Sequence, residues 1–254
     1  LKRALLASVL LLAAVAVAAP PCVKDGIILF PAPGAVVPTN VQFILEGVGE
    51  SQDRVQALLT ADAIALVPKE GAPIQVKAEK GWLSQMNRVA VRLKPLRPLE
   101  PHTQYTLALP TPMAGARIIN DVWGDGLLTW TTGAGLDKKP PRFKQKPASS
   151  EGFYEKAKDG TLTRKLRLRT LIEDSGLAYL VVTMQRARGS SAIQQYPVAL
   201  EGEYVHLGHD ACSGNVGFDD GRAYKLTFEL YDAAGNRAPE RATLEVAAPR
   251  PLGP

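Results

Sequence analysis

The sequence predicts an all-β chain: two antiparallel β-sandwich domains joined by a Pro/Lys-rich linker, after an N-terminal signal peptide. Three observations predict it. Short apolar runs alternate with polar residues and are split by turn residues across 26–133 and 151–248, the pattern of half-buried strands. A stretch of the form Asp, two residues, Gly, then Asp or Asn occurs twice, as DVWGD at 121–125 and DAAGN at 232–236. Each copy follows the same arrangement, an apolar residue six positions before a tyrosine (Leu99 and Tyr105; Phe218 and Tyr224), and each leads into a last strand.

The chain opens on a leader. Lys2 and Arg3 precede an uncharged apolar run from Leu5 to Val17, and Ala16 and Ala18 form a small-x-small pair. That is a secretory signal peptide over 1–18 with cleavage after Ala18; the run is short of the roughly 18 apolar residues of a membrane span. A lipoprotein reading through Cys22 meets Pro20 and Pro21 where small or branched residues are expected. No later stretch is apolar enough to span, so the mature protein is expected outside the cytoplasm, periplasmic or extracellular. In that oxidising setting the two cysteines, Cys22 and Cys212, are expected to form a disulfide. A dimer bridged through one cysteine and two free thiols remain the alternatives.

The first domain spans 22–133. Its strand candidates are 41–47 (VQFILEG), 54–60 (RVQALLT), 87–95 (NRVAVRLKP) and 103–110 (TQYTLALP). Val89, Val91 and Leu93 share one face of the third, with Arg88, Ala90 and Arg92 opposite, so it reads as half-buried. Residues 134–150 (AGLDKKPPRFKQKPASS) read as a linker, because Pro140, Pro141 and Pro147 block regular pairing and the charges keep it solvated. The second domain spans 151–248, with a tail at 249–254. In 161–170, Leu162, Leu166 and Leu168 lie opposite Lys165, Arg167 and Arg169; 173–176 (EDSG) is a turn; 177–186 and 222–232 are strands. No long amphipathic helix is expected.

The repeat reads as the C-terminal corner of a sandwich. The tyrosine opens the penultimate strand, its ring seals the end of the core and its hydroxyl bonds loop backbone. Gly and Asn or Asp then supply the connection to the final strand, since they tolerate positive φ. With LRPLEPHTQYTLAL, then INDVWGDGLLTWTTG, residues 26–133 resemble the bacterial Ig-like domains of surface-layer and adhesin-type proteins. Leu99, Pro101, Thr103, Tyr105, Asp121, Gly124 and Thr131 to Gly133 match that pattern, Asp125 departs from its usual Asn, and 29–45 is similar to the family's first strands. The YDAAGNRAP stretch gives the second half a weaker likeness to the same corner of Ig-like and fibronectin-like domains. The resemblance implies spacers or adhesive stalk units, and fold more than function.

Charge excludes one class of partner. Residues 19–137 carry 10 basic and 11 acidic groups and 147–254 carry 13 and 14, while 138–146 carries five basic groups and no acid. A nucleic-acid surface needs a basic face on a folded domain, so none is expected. The densest polar cluster is 206–221, with His206, His209, Asp210, Cys212, Asn215, Asp219 and Asp220. Zinc could use His-x-x-His-x-x-Cys, but on a strand His206 and His209 point to opposite faces. Calcium could use the oxygens of that loop, Asp232 and Asn236, but needs about 6–8 ligands and a fixed spacing. Ordinary turn chemistry accounts for the loop, and no metal or cofactor is expected. No Gly-x-Ser-x-Gly, phosphate loop, His-Glu-x-x-His or Cys-His pair is present, so no catalysis is expected. Trp82, in a turn, and Trp123, in the first corner, are the candidate ligand-binding residues of a carbohydrate face; capping the sandwich ends is the other use for them. The function expected is that of an exported non-catalytic structural or interaction protein of the bacterial cell envelope. Its partners would be envelope or surface proteins, or polysaccharide if it is a carbohydrate- or envelope-binding module.

Overall fold

The computed structural model describes residues 25–61, 63–84, 86–110, 113, 116–120, 127–158, 160–173, 177–210 and 212–251. Among the described residues the chain is mostly β-strand, with one short α-helix. In the N-terminal half the strands are β1 (Gly26–Phe30), β2 (Val36–Val37), β3 (Phe43–Val48), β4 (Ala65–Pro68), β5 (Ile74–Leu83), β6 (Arg88–Pro95), β7 (Gln104–Ala108) and β8 (Thr129–Thr132). They run in the spatial order β1-β3-β6-β5-β4-β7-β8-β2. All pairs are antiparallel except β2 with β8. A register shift between Ala78 and Lys80 lets β5 turn from β6 toward β4. The sheet thereby closes over one core, in which Phe43, Leu45, Val91 and Leu93 meet Leu66, Tyr105, Leu107 and Trp130. The rings of Phe43 and Trp130 lie 4.6 Å apart, and the Trp130 Nε1–H donates to the carbonyls of Pro31 and Ala32.

Residues 54–60 are not a strand. Helix α1 (Ser51–Ala57) and a 3₁₀ turn (Leu58–Thr60) occupy them. Val55 and Leu58 are buried while Asp53, Arg54 and Gln56 are exposed, an i, i+3 spacing that a helix, not a strand, places on one face.

The C-terminal half has two sheets. One is β13 (Tyr204–His209), β10 (Leu162–Ile172) and β9 (Phe143–Lys156); the other is β12 (Gln194–Ala199), β11 (Ala178–Arg186), β14 (Ala223–Asp232) and β15 (Arg237–Ala247). They enclose a second core of Leu166, Leu168, Val205 and Leu207 against Leu180, Val182, Leu226 and Phe228. Residues 143–150, expected within the linker, belong to β9. Pro147 is compatible with that strand because β9 is an edge and its register with β10 shifts between Arg169 and Leu171, where the proline falls.

The paired corners are built alike where both are described. Tyr105 Oη accepts from the Glu100 N–H at 3.0 Å, and Tyr224 Oη accepts from the Asp219 N–H at 2.8 Å, each reaching five residues back. Tyr105 and Tyr224 are each 2% exposed. After Tyr224, Asp232 accepts the Asn236 N–H (2.8 Å) and side-chain amide (2.9 Å), and Gly235 takes φ +84° in the turn they close. The matching stretch of the first half, with Asp121, Trp123, Gly124 and Asp125, lies outside the described residues.

Side-chain amides help to close two strand edges, beside backbone bonds from Arg117 and Ile119 to β1 and from Asn215 to β13. Asn120 accepts from the Leu29 N–H and donates to the Leu29 carbonyl on β1, at 3.0 and 2.6 Å. Asn215 accepts from the Gly208 N–H and donates to the His206 carbonyl on β13, at 2.9 and 2.7 Å. Each amide supplies the donor and acceptor that a neighbouring strand would.

The corner bonds predict matched losses. Tyr105→Phe and Tyr224→Phe should each lower unfolding free energy by about 1–2 kcal/mol, since each leaves a loop N–H without its acceptor. Urea denaturation checks this; a neutral result for either would deny that hydroxyl its structural role.

Candidate functional site: the seam between the two halves

The alternation of the N-terminal strands has two buried faces. On β3 and β6, Phe43, Leu45, Val89, Val91 and Leu93 point to the first core, while Ile44 and Ala90 point away and join the second core's cluster. Ala90 is 0% exposed and Ile44 6%. Strand β6, expected to be half-buried, is thus covered on both sides, because the C-terminal half rests on its outer face. Phe30 meets Tyr179 edge-on at 5.2 Å, and Tyr179 stacks on Tyr231 at 5.5 Å. Burial pushes the Tyr179 pKa up to about 12, against a lowering pull from Arg92.

Trp82 is at this seam rather than in a turn. It lies on β5, 4% exposed, within the second core's cluster, and the Lys80 ammonium sits 4.8 Å from its ring. Its indole therefore presents no free face on which a sugar could stack. Trp123 and Cys22 lie outside the described residues.

Polar bonds fix the register of the seam. Glu46 accepts from Arg88 at 3.0 Å and from the Tyr196 hydroxyl at 2.9 Å; burial holds the Tyr196 pKa well above its ordinary value, with Glu46 adding to it. Lys80 donates to Gln195 at 3.2 Å. The Gln42 N–H donates to the Ala233 carbonyl at 2.6 Å, so the β14–β15 corner rests on β3. Residues after Gly133 are docked as well. The Asp137 carbonyl accepts from Asn40 (2.8 Å) and from Asn236 (3.1 Å), one from each half.

The polar cluster expected around 206–221 is divided by the strand. His206 is 43% exposed in its side chain and 3.5 Å from Glu201, whereas His209 is buried. Asp210 accepts the N–H groups of Cys212 and Ser213 and lies 3.1 Å from Lys165. Burial raises its pKa, but those bonds outweigh burial and hold it at about 2. Among the described residues, no group of three or more His, Cys, Asp or Glu is placed to hold a metal ion. Arg164, which the leucine pattern of β10 passes over, shares the inner face with Leu166 and is 2% exposed. It donates to the Phe218 carbonyl and pairs with Asp220, with Tyr154 against its guanidinium.

Two clefts open along the seam. One, of about 350 Å³, has Glu46, Arg88, Lys165, Glu201, His206 and Asp210 on its walls; these charges pair with one another. The other, of about 330 Å³, is lined by Val36, Leu177, Asp137 and Asp232. Burial raises the Asp232 pKa, although Asn236 bonds lower it. In both, the polar groups are engaged in holding protein to protein.

Trp82→Ala should cost about 3–5 kcal/mol, the range for truncating a buried aromatic, and should split one unfolding transition into two, as calorimetry can read. Asp210 supports the fold while ionised. Its folded pKa is depressed, so its contribution is present above 3.8 and is lost as pH falls toward about 2. Asp210→Asn should flatten that limb of an acid-unfolding curve. No protein-family model matches the chain, and no curated protein matches it.

Proposed function

We propose that the chain is an exported, non-catalytic structural or interaction protein of the cell envelope, with two Ig-like sandwiches fixed against each other as a rigid elbow. The observation that carries this reading is the double burial of the β1-β3-β6-β5 sheet, with Ile44, Trp82 and Ala90 packed into the core of the other half. A spacer or stalk that transmits position needs its modules immobile relative to each other, and a large apolar seam supplies that. The polar groups at the seam are bonded in pairs rather than converging on a point where a substrate atom could sit. Burial of Trp82 withdraws support from a tryptophan-based carbohydrate face.

A Cys22–Cys212 disulfide belongs to the same reading. Gly26 stands opposite Val48 and Val48 opposite Arg88, whose Nε donates to Ser213 Oγ at 3.4 Å. The loop bearing Cys212 therefore lies over the end of the sheet at which β1 starts, and Cys22 is four residues before Gly26. On the chain-entropy account the closed loop would contribute roughly 4–5 kcal/mol.

Small-angle scattering of the mature chain should fit one compact conformer, and a pull-down from the native envelope should recover protein or polysaccharide partners. A scattering profile that demands an ensemble of hinge angles would sink the elbow. Mass spectrometry of a non-reduced digest should show the Cys22–Cys212 linked peptide; two alkylatable thiols would end that part of the reading.

A further inference from the structure

The loop joining His209 to Asn215 ties the halves together through hydrogen bonds. The Gly214 N–H donates to the Met86 carbonyl at 2.8 Å, and Ser84 Oγ donates to the Gly214 carbonyl at 2.6 Å. Asn87 Nδ2 donates to the Cys212 carbonyl, and Arg88 Nε to Ser213 Oγ, both at 3.4 Å. The loop folds back tightly on its own base: a Cβ at Gly214 would run into His209 and the Gly208 carbonyl. The base is closed by the Asp210 N–H donating to Ser213 O (2.9 Å) and the Asn215 N–H donating to Gly208 O (3.1 Å).

His209 stands at that base. It is 8% exposed, and its Nδ1 makes no hydrogen bond. Its register partner on β10 is Arg164, a 2% exposed cation. Asp210, the next residue, is the other charged group that acts on it; Asp219 and Asp220 follow in the same segment. The three carboxylates are engaged by Lys165, Arg186 and Arg164, respectively. A protonated His209 would place a second buried cation beside Arg164.

We propose that this loop is a latch between the two halves that acid loosens, with His209 as the group that takes up the proton. Burial pushes the His209 pKa below its ordinary 6.5 and Arg164 adds to this, against an opposing pull from Asp210 and the Phe218 backbone. The folded state therefore prefers the neutral ring. The ring's contribution is whole above 6.5 and is lost as pH falls below it. Loss begins at the loop because Gly214, which faces His209 on one side, bonds to Met86 on the other. A Cys22–Cys212 bridge would keep the loosened loop within reach, so that the latch recloses as pH rises.

Amide hydrogen exchange on the full mature chain, corrected for intrinsic rates, tests it. Between neutral pH and about pH 5.5, a window a histidine can sense, protection of the Gly214 amide should fall several-fold while the amides of β11 keep theirs. His209→Gln should abolish the fall, and His206→Gln, which alters only the exposed ring, should leave it. Equal Gly214 protection at both pH values, or a fall that persists in His209→Gln, overturns the proposal. Should His209→Gln not fold, ring titration of wild-type His209 by NMR decides. Its midpoint must lie below 6.5 and coincide with the loss of Gly214 protection; a midpoint at or above 6.5 overturns the latch.

Discussion

Burial of one sheet on both faces is the constraint on which the rest of this structure depends. A sandwich sheet ordinarily turns one face to its core and one to water. Here β3 and β6 give Phe43, Leu45, Val91 and Leu93 to one core and Ile44 and Ala90 to the other. Small size at Ala90 lets the C-terminal half approach, and Trp82 fills the space beside it. The polar residues of that outer face are confined to partnered positions, Glu46 with Arg88 and Arg92 with Glu79. An unpaired charge at this depth would cost more than the seam returns.

The strands and the tyrosine corners were legible in the sequence because their causes are local. Period-two alternation places β7, β10 and β14, and a continuous apolar run places β11, without reference to any other part of the chain; the hydroxyl bonds of Tyr105 and Tyr224 span five residues. The seam was not legible for the opposite reason. Arg88, Ala90 and Arg92 read as a solvated face, since a sequence cannot distinguish charges facing water from charges facing a partner's charges. Trp82 misleads in the same way: an indole between Gly81 and Ser84 suggests a turn, and only the bulge in β5 carries it into the interface.

Two other differences have definite physical sources. Proline and lysine between 138 and 147 mark a linker by composition, yet an edge strand with a register shift accepts a proline, and β9 starts at Phe143. Arg164 falls between Leu162 and Leu166 on the inner face, where a leucine is expected. Its carbonyl and carboxylate partners, Phe218 and Asp220, come from a loop more than fifty residues away, a distance over which sequence pattern carries no information.

The amides that help to close β1 and β13 have a consequence for what the chain does in the company of its own copies. Backbone and side chain close each edge together: Arg117 and Ile119 beside Asn120 on β1, and the Asn215 N–H beside its own amide on β13. Aspartate in place of Asn215 would set a carboxylate against the His206 carbonyl and withdraw the amide N–H that now donates to it. The edge of β13 would then be less completely closed, and pairing with a strand from another copy would become easier.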